Sequence, residues 1–465
     1  MRLRTLLAVS VALGALSLLV AGHGIAVVAY DPTVWLIWGR EILHLDLVTV
    51  GGPTWKPLPV LFTTPFSLFG HGAAPSLWLV VGRAGGILGL LLAYRVAARI
   101  AGPVAGALSA LALALEHDDL TNAARGESEA LMLALGLLAV DQHLAGRRRA
   151  AFAAAVGVSL LRPESWPLVA LYALYLLHQA RGTPELRRTL LLVGGAGVLV
   201  AALWFVPEKL SSGSFLRGAQ RATIPVPGSP AQADIPFLAV FSNSAKALPW
   251  PVYVGAVAGA ALALAALVRR RVITAPLMIG AAATVYMLVV AAFAQIGFTG
   301  NVRYVIPAAG LLAVLSGIGW VQGAHAVAAR WGRRPAGIAV AVAVAAAVLS
   351  VAAGIGHLAD QVRNTRDAVR LNRALEPVLR DAGGAGPILR CGSVVTGPFQ
   401  TPIVAWELGV HQRRVGLDPT APGTIVAPAT SRLARDARFP LVTENGRWVV
   451  RSTCPLAPAA GADNG

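Results

Sequence analysis

Residues 30–59, YDPTVWLIWGREILHLDLVTVGGPTWKPLP, form the first long polar break in a mostly apolar chain. They follow a basic start, Met1-Arg2-Leu3-Arg4, and an apolar run over residues 5–28. The break carries Asp31, Glu41, Asp46 and Lys56, with Trp35, Trp38 and Trp55 distributed among them. A secretory signal peptide has an apolar core of about 7–15 residues. This run is longer, so it reads as an uncleaved first span. The positive charge before it puts the N-terminus in the cytoplasm and Asp31 on the outer face.

Composition extends that reading to the whole chain. Of 465 residues, 56% are hydrophobic and 13% charged, and the mean hydropathy is +0.65. Soluble domains carry about 25% charged residues, so a single large soluble core is excluded. Further spans are expected near residues 75–98, 103–116, 128–144, 150–163, 165–180, 189–207, 249–268, 275–295, 304–326 and 336–356. With the first run this makes an all-α polytopic protein of about eleven transmembrane helices. Alternating sides assigns to the cytoplasm the breaks holding Arg95 and Arg99, then Arg147, Arg148 and Arg149. The same count puts there the breaks with Arg181, Arg187 and Arg188, with Arg269, Arg270 and Arg271, and with Arg330, Arg333 and Arg334. Each is short and basic, as the positive-inside rule requires. The net charge of +17 is therefore largely topological, and no nucleic-acid partner is expected.

The acids supply a second asymmetry. Of thirteen Asp and Glu in residues 1–356, only Asp141 and Glu185 fall near the cytoplasm. An outward-facing polar cavity accounts for the rest. From about residue 357 the chain becomes polar. Residues 357–382 read as a charged helix ending before Gly383-Gly384, followed by strand-like runs at 423–427 and 448–452 and a helix near 402–408. Residues 1–356 thus form a membrane domain, and 357–465 a small extracytoplasmic α/β domain. Cys391 and Cys454 lie in the latter and are expected to pair, since small exported cores benefit from a staple. Two unpaired buried thiols are the alternative.

Five polar features mark candidate chemistry. Asp31 precedes Pro32 and also reads as a plain helix N-cap, with Trp35, Trp38 and Ile42 on one face of a short helix lying at the membrane surface. Lys56 stands before Pro57 and an apolar run, placed either to snorkel or to meet a lipid phosphate. Residues 116–129 hold Glu116, Asp118, Asp119, Glu127 and Glu129, five acids in fourteen residues, together with His117 and Arg125. Glu127 and Glu129 also suit a helix N-terminus. In Arg162-Pro163-Glu164 and Arg303-Tyr304, an isolated outer-face arginine is either a salt-bridge partner or an anion clamp. P-loop, GxSxG, CxxC, HExxH and dinucleotide fingerprints are missing. No cofactor is called for. A divalent metal is compatible with these acids, but no ligand spacing indicates one.

In order and sidedness these features resemble the GT-C glycosyltransferases. The branch most alike holds the protein O-mannosyltransferases and the aminoarabinose transferase of lipid A. The likeness rests on the early Asp31, Lys56-Pro57 before an apolar run, and Arg83. It continues through Arg125 with Glu127 or Glu129, Arg162-Pro163-Glu164, and Arg303-Tyr304 before Pro307. It implies a polyprenyl-phosphate sugar donor and an acceptor that is a glycan, lipid or protein of the cell envelope. It further implies inverting transfer with Asp31 as general base and a plasma-membrane location. Lys56, Arg162 and Arg303 would face the departing phosphate, and Asp118, Asp119, Arg125, Glu127, Glu129, Glu164 and Tyr304 would line the substrate site. A transporter or flippase for an anionic lipid-linked substrate is the alternative, and it would favour charges along several spans rather than at their outer ends.

Overall fold

The computed structural model describes residues 2–20, 27–224 and 227–456. In chain order its helices are α1 (Leu3–Val20), α2 (Tyr30–Leu43), α3 (Pro57–Phe66), α4 (Ala73–Ala101), α5 (Pro103–Ala114) and α6 (His117–Ala124). There follow α7 (Glu129–Leu144), α8 (Arg148–Ser159), α9 (Trp166–Ala180), α10 (Leu186–Ser212), α11 (Arg217–Ala222) and α12 (Pro236–Ser244). Next come α13 (Trp250–Arg270), α14 (Ala275–Gln295), α15 (Ile306–Trp331) and α16 (Arg333–Arg373). The C-terminal part adds α17 (Leu375–Asp381), α18 (Ala385–Arg390), β1 (Ser393–Val395), α19 (Thr401–Glu407), β2 (Val415–Gly416), β3 (Gly423–Pro428), β4 (Leu441–Glu444) and β5 (Trp448–Ser452).

Every expected span falls on a helix, although residues 21–26 of the first run lie outside the described residues. Among the described residues, six helices are long and apolar enough to cross a membrane: α1, α4, α10, α13, α14 and α15. Helices α5, α7, α8 and α9 have 12, 16, 12 and 15 residues, short of the roughly 20 a bilayer core requires. The surface confirms the solvent. On α10, Leu191 and Val198 are 68% and 71% exposed, and a patch of that kind is stable against lipid rather than water. The chain is a multi-pass membrane protein.

Glycine sets the closest approaches in the bundle. A Cβ on Gly319 of α15 would lie 1.9 Å from the Gly255 carbonyl oxygen of α13, and one on Gly317 would lie 2.4 Å from the Ala105 carbonyl oxygen of α5. Small residues let backbones meet where lipid offers no hydrophobic driving force. At the far ends of α4 and α7, Asp141 is buried against Arg95 at 2.7 Å and Arg99 at 2.8 Å.

The C-terminal sheet has the order β2-β1-β3-β5-β4, parallel where β1 meets β2 and β3 and antiparallel where β5 meets β3 and β4. Cys391 and Cys454 are bridged, with Cα atoms 5.7 Å apart. The border expected at 356/357 falls inside α16, which runs unbroken to Arg373.

Helix α2 departs from expectation. It does not lie on a surface: Val34, Trp35, Leu36, Ile37 and Trp38 are all buried. The reason is that α19 and the loop after it pack on its other side. Arg40 donates to the Val410 carbonyl at 2.8 Å and sits 5.3 Å from the Trp406 ring centre, while Glu41 meets His411 at 2.8 Å. One apolar cluster therefore runs from Trp35, Trp38 and Trp78 through Leu375 and Trp406 to Trp448.

Trp448 is fully buried and donates to the Leu371 carbonyl of α16 at 2.7 Å. Trp448→Ala is expected to destabilise the C-terminal part by about 3–5 kcal/mol, read as a lowered thermal or denaturant midpoint by circular dichroism.

Candidate active site

Asp31 is not the N-cap of α2. The helix begins one residue earlier, capped by Ala29 without a side-chain bond, and the Ala29 amide donates to the Arg125 carbonyl at 3.0 Å. The Asp31 carboxylate, freed from capping, is buried and meets Arg303 Nη2 through Oδ2 at 3.1 Å. Arg303 belongs to a 3₁₀ turn over Val302–Tyr304 that leads into α15. Its Nη1 lies 3.7 Å from Glu127 Oε1.

Glu127 and Glu129 reach the same place because Gly126, at φ +80°, turns the chain between α6 and α7. That left-handed conformation suits glycine, and the turn is pinned by Trp78 Nε1 donating to the Gly126 carbonyl at 2.9 Å. Glu129, in the first turn of α7, accepts from Arg162 Nη2. Arg162 Nη1 also lies 3.6 Å from Glu164 Oε1. The Tyr304 ring is shared by the two arginines, 4.1 Å from the Arg162 guanidinium carbon and 5.5 Å from that of Arg303.

Lys56 enters from the loop before α3. Its ammonium donates to Ser128 Oγ at 2.8 Å and lies 5.1 Å from the Trp35 ring centre. Among the described residues it forms no ion pair. Its loop is held from the other side by Arg217, which donates to the Gly52 and Pro53 carbonyls at 3.0 and 2.8 Å and pairs with Glu208 at 2.8 Å. Trp55 is anchored to the Leu203 carbonyl at 2.9 Å.

Thus Asp31, Lys56, Glu127, Glu129, Arg162, Glu164, Arg303 and Tyr304 converge, from five separated stretches of chain. Arg125 contributes chiefly its carbonyl: it forms no ion pair among the described residues, and its Nε has no hydrogen-bond partner. Asp118 and Asp119 sit in α6, with side chains outside the described residues. Two contributors escaped sequence reading. Ser128 lies inside the acidic stretch, where nothing in its residue type or spacing marks it. Tyr286 is buried in α14, its hydroxyl without a partner, and a lone tyrosine within an apolar span was the available signal.

The cluster is electrostatically strained in a readable way. Burial, followed by the charge of Asp31, pushes the Glu127 carboxyl up to about 7. Burial and then the neighbouring Arg162 lower the Lys56 pKa. Burial also opposes the charge on Arg303, but Asp31, Glu127 and Glu129 outweigh it and hold its pKa well above the ordinary value. Glu127 Oε2, Glu129 Oε2, Glu164 Oε2 and Arg162 Nε are buried without hydrogen-bond partners. An apolar cavity of about 380 Å³ runs from Ser165 and Pro307, near Glu164 and Tyr304 along the chain, past Met132 and Tyr286 to His143.

Comparison with solved structures shows the same fold in the aminoarabinose transferase ArnT from Cupriavidus metallidurans. Its apo structure superposes with a TM-score of 0.58 at 17% identity, covering 96% of this chain and 97% of that one. ArnT bound to undecaprenyl phosphate gives 0.54 at 16% identity, with the same coverage of 96% and 97%. The chain therefore shares the fold of ArnT. No protein-family model matches the sequence, and no curated protein matches it.

Arg162 and Lys56 are expected to differ in stability. Arg162→Met strands Glu129 and Glu164 in the interior and is expected to cost about 3–5 kcal/mol. Lys56→Met removes a cation that has no carboxylate partner and is expected to change the thermal midpoint far less. Melting curves of the two purified variants test this.

Proposed function

We propose that the protein transfers a sugar from a polyprenyl-phosphate donor to an acceptor hydroxyl of the cell envelope, on the outer side of the plasma membrane. The observation that carries this reading is the convergence of Asp31 with Lys56 and Arg303 in one charged cluster, in a bundle that also holds an apolar cavity whose lining includes Ser165 and Pro307, near Glu164 and Tyr304 along the chain. An amphiphile with a phosphate head and an isoprenoid tail fits both halves of that arrangement. The shared fold with ArnT, whose structure has been solved with undecaprenyl phosphate bound, supports the same ligand class.

In this reading Asp31 accepts the acceptor hydroxyl proton. The acceptor oxygen bonds to the anomeric carbon from the face opposite the phosphate. The carbon–oxygen bond to phosphate breaks, its electron pair leaves on the phosphate, and the anomeric centre inverts. Cations offset the charge developing there. Geometry ranks them. Lys56 carries no carboxylate and is the primary phosphate contact. Arg303 is partly exposed beside Asp31 and is the second phosphate contact in this reading. Arg162 is buried between Glu129 and Glu164 and serves mainly to hold the frame, with Tyr304 spacing the two arginines. Asp118, Asp119 and Arg125 are assigned to the substrate-binding set on their place in the sequence alone.

The topology belongs to the same proposal. Residues 1–356 form the membrane catalytic domain, with eleven spans in which the short helices α5, α7, α8 and α9 cross as packed interior segments. Residues 357–465 form the extracytoplasmic domain, and the Cys391–Cys454 bridge supports an oxidising compartment for it. Charges gathered at one end of the bundle favour transfer over transport.

Asp31→Asn and Asp31→Ala are each expected to lower transfer of labelled sugar from polyprenyl phosphate by about 10²–10⁴-fold while the protein stays folded and keeps binding the lipid phosphate. Full activity in both folded variants would remove Asp31 as the base.

A further inference from the structure

The ion cluster is unbalanced. Asp31, Glu127, Glu129 and Glu164 supply four carboxyl groups, while Lys56, Arg162 and Arg303 supply three cations. Glu129 and Glu164 share Arg162, which is held fast. Asp31 and Glu127 share Arg303, and Asp31 has the closer contact, 3.1 Å against 3.7 Å. Arg303 is the more exposed of the two arginines, its side chain 33% exposed against 4% for Arg162. It is also the sole ion-pair partner of Glu127 among the described residues, and Glu127 Oε2 is buried with no hydrogen-bond partner.

Bringing an anionic phosphate to Lys56 and Arg303 worsens this balance. Once Arg303 turns to the ligand, both carboxylates lose a cation, yet Asp31 must stay ionised to act as a base. Glu127 is the group that can be neutralised without loss to the chemistry. We propose that Glu127 is the charge-balancing residue of the site: binding of a lipid phosphate is coupled to uptake of one proton from solvent onto Glu127, which keeps Asp31 ionised. This rests on the reading above that the site takes a polyprenyl-phosphate sugar donor. The groups facing Glu127 are Asp31 from α2, Lys56 before α3, Glu129 on α7 and Arg303 before α15, with Arg162 and Glu164 beyond them. Below about pH 7 Glu127 already holds its proton. Above that value the proton must be taken up, so affinity falls as pH rises. Deprotonation of Lys56 would give the same direction, and a Glu127 variant separates the two.

The test is calorimetric titration of the full-length protein in nanodiscs with undecaprenyl phosphate, above pH 7, in buffers of different ionisation enthalpy. Wild type is expected to take up about one more proton per lipid than Glu127→Gln, and its affinity to fall by up to about tenfold per pH unit relative to that variant. Equal proton linkage in the two proteins overturns the inference and leaves the polyprenyl-phosphate donor reading standing. No binding to wild type overturns both. Should Glu127→Gln fail to fold, infrared difference spectra of wild type decide: a new protonated-carboxyl band on lipid binding is expected, and its absence overturns the inference. A merely structural Glu127 would move neither readout.

Discussion

Arg162, buried between Glu129 and Glu164, is the contact from which the rest of the architecture follows. An ion withdrawn from water costs several kcal/mol unless it is paired with good geometry, and the cost is felt most in a bundle surrounded by lipid. The charges of this chain are carried on elements far apart in sequence, so none can be buried until those elements meet. The start of α7, the turn between α8 and α9 and the entry to α15 must therefore close on one point. Packing and charge compensation are a single requirement here.

The same requirement explains why α2 is buried. Its tryptophans pack toward α3, α4 and the loop before α3, while Arg40 and Glu41 are taken up by the C-terminal part through Trp406, Val410 and His411. The helix that carries Asp31 is held between bundle and sheet. Rotation of that helix would strand Arg40 and Glu41 as well as Asp31, so the carboxylate inherits its precision from contacts that take no part in chemistry. The Arg217–Glu208 pair does the equivalent for the loop that delivers Lys56.

Much of this was legible in the sequence, residue by residue. The apolar runs found their helices, 423–427 and 448–452 became β3 and β5, and Cys391 met Cys454. The sidedness of the acids pointed to a common cavity, and Asp31, Lys56, Glu127, Arg162 and Arg303 do converge. What misled was local logic. Asp31-Pro32 looked like an N-cap, but the helix starts at Tyr30 because the Ala29 amide is satisfied by the distant Arg125 carbonyl. The Trp35 and Trp38 face looked interfacial because period alone does not reveal a second layer on the other side.

Hydropathy, charge sidedness and cysteine count alone determined that this chain is a helical membrane protein with a small mixed C-terminal part. Those properties follow from solvent preference, which each segment expresses independently. Only the tertiary structure decided which carboxylate shares which arginine, that Lys56 stays free of carboxylates, and that Glu127 depends on a partner it must share with Asp31. Ion pairing in a low-dielectric interior is set by distances of a few ångströms between segments hundreds of residues apart. Asp31 and Arg303 are joined by the fold and by nothing local in the chain.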